Sequence, residues 1–185
     1  PGYEADDVIG TVAGIAEKEG YEVFMATPDK DYGQLVTDRV LQYRPRHTGG
    51  FEQLGPQQVC DKYGIQSATQ VIDLLGLMGD ASDNIPGCKG VGEKTAVALI
   101  QQFGSIENLL EHTDELKGAL KTKVETQIED IRFSKFLATI RTDVPIQLDE
   151  QRKIYHLLLD NKNKILCFLL FLSLIQIMVC FCYSF

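Results

Sequence analysis

The sequence predicts an α/β fold that is followed by a helical region, and three observations carry this prediction. Apolar residues recur at helical spacing from Asp7 until Gly20, which indicates an opening helix. Two short apolar runs of strand type follow, YEVFMAT and DRVLQYRP. Beyond Pro56 the apolar residues keep helical spacing and are interrupted by glycine or serine. A sheet with a helix is therefore expected first, and helices alone afterwards.

The elements of the first half place acidic residues at element ends. The opening helix presents Val8, Val12 and Ile15 on one face and has carboxylates at its beginning. The first strand runs into PDKD, so Asp29 and Asp31 follow its carboxyl end, the edge where open α/β sheets bind ligands. After the second strand, RHTGGFEQLG predicts a loop or hairpin, and PQQVCDKYG predicts a short helix begun by proline.

The second half predicts helices that are separated by short breaks. SATQVIDLLGLMG, EKTAVALIQQFG, SIENLLEH and the stretch 114–141 all show helical spacing. Ser105 is a favourable helix cap directly after Gly104, which ends the preceding helix. The predicted core face of EKTAVALIQQFG consists of Ala96, Leu99, Ile100 and Phe103.

The composition of the chain limits the function classes. The formal charge at pH 7 is −8, and 44% of the residues are hydrophobic. A core can therefore be buried, but a nucleic-acid binder that works by broad positive charge is disfavoured. That argument fails where acids are clustered, because bound divalent metal ions reverse the local field. The 5 cysteines include no CxxC pair, which argues against structural zinc and indicates a reduced cytosolic compartment.

Acidic residues at element ends form three tight groups. A single group has an ordinary explanation, because aspartate caps helices and makes turns. Three such groups in one domain favour a shared metal site. Magnesium or manganese fits best, because these hard cations take oxygen ligands and a pair of them supports phosphodiester hydrolysis. The candidate catalytic and metal-binding residues are Glu4, Asp6, Asp7, Asp29, Asp31, Asp80 and Asp83.

The stretch GCKGVGEKT, which follows Pro86, can be interpreted as either of two ligand-binding motifs. A nucleotide-binding P-loop requires lysine directly after its last glycine, but Glu93 stands there, and a predicted helix precedes the stretch. A hairpin between two helices is favoured, because its glycines allow close backbone approach and the positive helix start can meet a DNA phosphate. An ordinary glycine turn between packed helices is the alternative. The candidate DNA-binding residues are Gly87, Lys89, Gly90, Gly92, Lys94 and Thr95.

Together these motifs resemble the 5′ nuclease domain of bacterial DNA polymerase I, a member of the flap endonuclease superfamily. GYEADD, TPDKD and LMGDASDNIPGCKGVGEKTA stand in the family's order and spacing, and the resemblance runs to about Asp149. It implies a PIN-like nuclease core with a partial parallel sheet over 1–55 and a helix-hairpin-helix region that grips duplex DNA over 56–150. It also implies that the seven acids bind or support two Mg²⁺ or Mn²⁺ ions, with a K⁺ ion at the hairpin in many members.

The resemblance further implies a substrate and a setting. The substrate is DNA near a 5′ end or 5′ flap, or an RNA–DNA primer junction, in replication and repair beside the bacterial nucleoid in the cytoplasm. A polymerase region accompanies the domain in the family. Family members also carry, before the motif at Gly2, a first strand with a metal-binding aspartate and a basic helical arch, which this chain lacks. We therefore expect weak cleavage or none, and a catalytically incomplete duplex-DNA-binding module is the alternative function.

The C-terminal residues 151–185 differ in composition from the rest. Residues 165–185 are 21 uncharged residues, which as a helix would extend ~31 Å, enough for a membrane span. A membrane-anchored structural protein is a third hypothesis that rests on this segment alone. We favour a tail from a shifted or truncated reading frame, because a replication nuclease gains nothing obvious from an anchor. We therefore expect 151–185 to stand outside the domain, and we expect no membrane partner.

Overall fold

The computed structural model describes residues 2–46, 48–146, 165–169 and 178–179. The chain divides into two compact units. The sheet unit comprises Pro1–Pro56 and Ile140–Phe185, and the helical unit comprises Gln57–Thr139.

The sheet unit begins with the predicted helix and continues into strands. A hairpin joins the second and third strands, as expected for RHTGGFEQLG, and the N–H of Arg46 donates to the carbonyl of Gly50 at 3.0 Å within it. The elements are α1 (Ala5–Lys18), β1 (Glu22–Ala26), a 3₁₀ helix (Asp31–Leu35), β2 (Val40–Pro45), β3 (Phe51–Leu54), β4 (Ile165–Leu169) and β5 (Met178–Val179).

These strands form one mixed sheet in the order β3-β2-β1-β4-β5. β1 runs parallel to β2, with Val23 opposite Val40, and parallel to β4. β3 and β5 pair antiparallel with β2 and β4. The predicted α/β fold with a partial parallel sheet is thus confirmed, with antiparallel strands added at both edges. Because β1 and β2 are parallel, both strands end at the same edge of the sheet. Asp29 and Asp31 follow β1 and therefore lie at that edge.

Helix α1 is held on the sheet by one apolar face. Ile9, Val12 and Ala16 are buried at spacings of three or four residues, so each turn of α1 contacts the core. Gly10 lies at a close approach, since a Cβ there would lie 3.3 Å from Leu35 Cδ1. This packing fixes the amino end of α1, where the first group of acids lies.

The helical unit contains the helices that the sequence predicts. The stretch 114–141 forms two helices, because Gln127 leaves the helical conformation at φ −123° and ψ 23°. Ser105 caps its helix as predicted, and its side chain accepts the N–H of Asn108 at 3.2 Å. The helices are α2 (Pro56–Tyr63), α3 (Val71–Met78), α4 (Glu93–Phe103), α5 (Ile106–Glu111), α6 (Gly118–Thr126) and α7 (Ile128–Ala138), with 3₁₀ helices at Ala68–Gln70 and Thr113–Glu115.

Helix α3 forms the centre of the helical unit and packs against α4, α5 and α7. Gly76 permits a close approach of α7, since a Cβ there would lie 3.1 Å from the Cα of Lys135. The buried carboxylate of Asp73 accepts from Lys135 Nζ at 2.6 Å and from the N–H of Ile106 at 3.0 Å. One side chain therefore ties α3 to α7 and to the start of α5.

Part of the uncharged C-terminal segment belongs to the sheet. β4 pairs along the free side of β1, where unpaired backbone N–H and C=O groups would otherwise remain. At 165–169 and 178–179 the structure has strands, where the composition also allowed a membrane-spanning helix. The reason is that a short apolar run can pair as a strand as readily as it forms a helix. The other residues of 151–185 lie outside the described residues, and the three predicted domain boundaries stay predictions.

A membrane-crossing helix would need length and apolar character together. No helix within the described residues combines the two.

Candidate metal-binding and DNA-binding residues

The first group of acids begins helix α1. The backbone N–H of Glu4, the N-cap residue, donates to Asp7 Oδ2 at 3.2 Å, while the Glu4 side chain accepts the backbone N–H of Asp7. This capping box satisfies amides that a helix start leaves without helical partners. The other Asp7 oxygen, Oδ1, accepts the N–H of Arg141 at 2.9 Å. Glu4 and Asp7 thus stabilise the helix start, and metal ligation by these two residues stays a prediction.

Asp6, between those two capping residues, lies beside a buried tyrosine. The Tyr32 hydroxyl donates to Asp6 Oδ1 at 2.7 Å, and the Tyr32 side chain is fully buried. Burial raises the pKa of Asp6 above its ordinary value, the Tyr32 hydrogen bond opposes this, and the charges of Asp29, Glu4 and Asp7 raise the pKa further. Burial raises the pKa of the Tyr32 hydroxyl most, and the hydrogen bond to Asp6 raises it further. The hydroxyl therefore stays protonated and acts as the donor.

The second group of acids lies in the turn that follows β1. Asp29 Oδ1 accepts the N–H of Asp31 at 3.0 Å, and the N–H of Asp29 donates to Thr27 Oγ1 at 3.1 Å. Gln42 Nε2, on the neighbouring strand β2, donates to the carbonyls of Thr27 at 3.1 Å and Asp29 at 2.5 Å. The Gln42 side chain is 1% exposed, so a buried amide on β2 holds the turn that carries both acids. Sequence reasoning missed Gln42, although a glutamine inside the apolar run VLQY is a usable signal.

The sheet unit brings three predicted metal ligands together. The Tyr32 hydroxyl donates to Asp6 Oδ1, and Asp31, the residue before Tyr32, donates its N–H to Asp29 Oδ1. Hydrogen bonds and the chain itself therefore link the residues that carry these three carboxylates. Like charges in a partly buried setting favour a bound cation, and every donor atom is a carboxylate oxygen, the ligand type that Mg²⁺ and Mn²⁺ prefer. The residues present therefore fit a divalent metal ion.

The third group of acids lies in the helical unit, in a tight turn after α3. The N–H of Asp80 donates to the carbonyl of Ile85 at 3.0 Å, and the N–H of Ile85 donates back to the carbonyl of Asp80 at 2.7 Å. Asp80 Oδ1 accepts the N–H of Ser82 at 2.8 Å and its hydroxyl at 2.7 Å. Asp80 is buried and Asp83 is exposed. The turn thus presents two carboxylates on a rigid backbone, and their metal ligation stays a prediction.

Two glycines make this turn possible. A Cβ on Gly87 would lie 2.4 Å from the nitrogen of Gly79, and a Cβ on Gly79 would lie 2.6 Å from the carbonyl oxygen of Ile85. Both glycines have positive φ, at 62° and 72°. The N–H of Gly87 donates to Ser134 Oγ at 2.9 Å, and that hydroxyl donates to the carbonyl of Asp130 at 2.6 Å. The backbone after the acids is therefore attached to α7 through Ser134, another residue that sequence reasoning missed.

The tip of the predicted hairpin is held by α6 and by the residue that follows it. The N–H of Lys89 donates to Gln127 Oε1 at 2.7 Å, and Gln127 Nε2 donates to the carbonyl of Lys89 at 3.4 Å. Lys123 Nζ donates to the carbonyl of Gly90 at 3.1 Å. Gly90 has φ 84°, and a Cβ there would lie 2.7 Å from Lys123 Nζ. The tip is therefore ordered within the helical unit.

Helix α4 begins directly after this tip. Gly92 is its N-cap and offers no side chain to the first amides of the helix. Gly92 and Lys94 are exposed, and Thr95 is half-buried. A helix start with free amides and positive side chains can accept a phosphate oxygen of a nucleic acid. The geometry suits the predicted DNA contact, which stays a prediction.

Two family profiles match consecutive parts of the chain. The profile described as 5'-3' exonuclease, N-terminal resolvase-like domain, matches residues 1–64. The profile described as 5'-3' exonuclease, C-terminal SAM fold, matches residues 66–158.

Bacterial DNA polymerases I are similar to this chain in sequence. The chain is 46% identical over 150 residues to the thermostable DNA polymerase I of Thermus thermophilus and 50% identical over 148 residues to DNA polymerase I of Bacillus subtilis. These alignments cover 80% and 79% of this chain. The chain spans 17% of the length of each of these relatives.

Solved structures of the 5'-exonuclease of bacteriophage T5 share the fold. The T5 5'-exonuclease with divalent zinc ions bound has a TM-score of 0.68 at 23% identity, over 76% of this chain and 51% of that chain. A mutant of the same exonuclease has a TM-score of 0.67 at 23% identity, over 76% of this chain and 57% of that chain. By its sequence profiles and its relatives, the chain belongs to the 5'-3' exonuclease family.

Proposed function

We propose that this chain carries the 5′ nuclease activity of a DNA polymerase I type protein. The reaction is hydrolysis of phosphodiesters in DNA or in RNA primers near a 5′ end or a 5′ flap, during replication and repair. The observation that carries the proposal is the linkage of Asp6, Asp29 and Asp31 through Tyr32 and the turn after β1, at the carboxyl edge of the sheet. Family membership and the divalent zinc ions bound to the T5 5'-exonuclease support it.

The proposed chemistry depends on divalent metal ions held by carboxylates. A pair of Mg²⁺ or Mn²⁺ ions supplies an activated water and stabilises the leaving oxygen of a phosphodiester. Asp6, Asp29 and Asp31 bind such ions, and Gln42 orients the turn that carries Asp29. The remaining proposed ligands or supporting acids are Glu4, Asp7, Asp80 and Asp83.

The proposed DNA contact lies in the helical unit. The hairpin from Gly87 to Thr95 meets the backbone of duplex DNA with its amides and with the ammonium groups of Lys89 and Lys94. A K⁺ ion at this hairpin and a polymerase region elsewhere in the full protein are part of the proposal. A DNA substrate of this kind places the activity at the nucleoid, in the bacterial cytoplasm.

Cleavage of a labelled 5′-flap duplex by the whole chain tests this proposal. We expect weak cleavage that depends on Mg²⁺ and that falls at least ~10-fold further in Asp80→Asn, which keeps the acceptor for Ser82 but removes the charge. Ser82→Ala is the matched control, because it removes a hydroxyl partner of Asp80 and leaves the carboxylate. Equal losses in the two variants would assign Asp80 to the turn alone and contradict the proposed ligation.

A catalytically incomplete duplex-binding module is the second candidate function. It is favoured by the hairpin tip, which Gln127 and Lys123 order through contacts within the helical unit. Salt-sensitive binding of the flap duplex without cleavage at any Mg²⁺ concentration would select this function.

A further inference from the structure

Tyr32 joins two of the acidic groups in the sheet unit. It lies in the 3₁₀ helix Asp31–Leu35, directly after the turn that carries Asp29 and Asp31. Its hydroxyl reaches back to α1 and donates to Asp6 Oδ1 at 2.7 Å. A single side chain therefore connects the acids that follow β1 with the acids that begin α1.

Packing alone does not account for a tyrosine at this position. The side chain is 0% exposed, and a phenylalanine would fill the same space without a polar atom to satisfy. Tyrosine differs from phenylalanine only in its hydroxyl group. Here that hydroxyl donates to Asp6, a carboxylate of the proposed metal centre. A hydrogen bond to an ionised oxygen is strong and directional, so it restricts the rotation of the Asp6 carboxyl group.

We propose that Tyr32 is a positioning residue for the metal centre, which orients the Asp6 carboxylate so that its remaining lone pairs face a divalent ion. This inference rests on the proposed function. The physical basis is that hydrogen bonds to a metal ligand from residues behind it fix the orientation of the ligand and thereby set metal affinity. The ring of Tyr32 packs in the core, and its hydroxyl orients the proposed metal ligand Asp6.

Direct metal binding by Tyr32→Phe tests this inference. We expect Mn²⁺ to bind the whole chain at least ~10-fold more weakly in Tyr32→Phe than in the wild type, measured by electron paramagnetic resonance of free Mn²⁺. Tyr21→Phe is the matched control, because Tyr21 directly precedes β1 at the opposite end of the strand. We expect Tyr21→Phe to bind Mn²⁺ like the wild type.

A second pair of variants separates positioning from a structural role. In the Asp6→Asn background, Tyr32→Phe should cause no further loss of Mn²⁺ affinity, because the hydroxyl acts through Asp6. A purely structural tyrosine would lower the unfolding temperature of Tyr32→Phe and leave Mn²⁺ affinity unchanged, which would overturn the inference.

A measurement on the unsubstituted chain keeps the inference testable should Tyr32→Phe fold poorly. Mg²⁺ binding should change the near-ultraviolet absorption of tyrosine, because the partner of the buried hydroxyl acquires a metal, and Asp6→Asn should abolish that change. An absorption change that persists in Asp6→Asn, or none at saturating Mg²⁺, would contradict the inference. A wild-type chain that binds no Mn²⁺ would overturn the proposed function as well, whereas wild-type affinity in Tyr32→Phe would overturn only the role of Tyr32.

Discussion

At the scale of single residues, hydrogen bonding separates the acids of the sheet unit into two kinds. Asp7 Oδ2 accepts the N–H of Glu4 at the helix start, and Asp7 Oδ1 accepts the N–H of Arg141. Asp6 accepts from a buried hydroxyl and lies within the negative field of Asp29, which raises its pKa together with burial. A bound cation would relieve the field on Asp6, so of these two residues Asp6 is the better proposed metal ligand.

The acids of this chain could be predicted from sequence, but the side chains that position them could not. Asp29 and Asp31 were identified because they follow a strand, a position that the local pattern reveals. Tyr32 follows the acids directly and is buried, and a buried aromatic ring is ordinary core, while Gln42 lies inside the apolar run VLQY. Their partners lie on α1 and on the turn after β1, so a local pattern can mark Gln42 as unusual but cannot identify what either side chain contacts.

Gly87→Ala tests whether the turn after Asp80 depends on its glycines. The added Cβ would lie 2.4 Å from the nitrogen of Gly79, and φ is 62°, so we expect a loss of about 1–3 kcal/mol in the free energy of unfolding by urea. Gly14→Ala is the control, since a Cβ there meets nothing within 4 Å and should stabilise α1 by about 0.5–1 kcal/mol. Similar effects of both substitutions would contradict this account of the turn.

At the scale of elements, the turn between α3 and α4 is held from outside its own sequence. Ser134 on α7 and Gln127 between α6 and α7 bind the backbone of Gly87 and Lys89. The glycines predicted a hairpin because their conformational freedom is local. Its attachment to α7 could not be predicted, because periodicity locates the buried face of a helix and does not name the partner of that face.

The ion pair between α3 and α7 gives an element-scale prediction. Lys135 Nζ lies 2.6 Å from Asp73 Oδ1, and the Asp73 side chain is 8% exposed, so removing the ammonium leaves a buried carboxylate without its counterion. We expect Lys135→Ala to lower the free energy of unfolding by about 3 kcal/mol, measured by urea titration at pH 7. In Lys121→Ala, which breaks an exposed pair with Glu125 at 3.7 Å, we expect a loss below ~1 kcal/mol.

Lys135 Nζ also lies 2.7 Å from Glu107 Oε2, and this second ion pair has a pH dependence of definite sign. Burial raises the pKa of the Glu107 carboxyl, but the hydrogen bond from Lys135, a backbone hydrogen bond, the charge of Lys135 and a hydrogen bond from Ser105 together hold the pKa below its ordinary value. A lowered carboxyl pKa stabilises the fold above the unfolded value, and that stabilisation is lost as the pH falls through the folded value. The difference between the wild type and Lys135→Ala should therefore shrink below pH 4.5, the ordinary value for this carboxyl. A constant difference down to acid unfolding would contradict this account.

At the scale of the whole molecule, the α/β and helical parts could be predicted because each has its own hydrophobic period. A parallel sheet was implied by the family resemblance, and β1 and β2 pair in this way. The strands β4 and β5 were not predicted, because an uncharged run of this length has the composition of a membrane span, and composition cannot distinguish a long helix from two short strands. The pairing of β4 with β1 depends on contacts in the folded sheet, which the composition of the segment does not reveal.

The most direct measurement is the rate of 5′-flap cleavage by the whole chain as a function of Mg²⁺ concentration, with two matched variants. Asp6→Asn removes one charge at the edge where β1 ends, and Asp38→Asn removes one charge just before β2, at the opposite edge of the sheet. We predict weak cleavage that saturates with Mg²⁺ in the wild type and in Asp38→Asn, and a further loss of at least ~10-fold in Asp6→Asn. Equal cleavage by both variants, or cleavage that needs no divalent ion, would contradict the claim that these carboxylates form a catalytic metal centre.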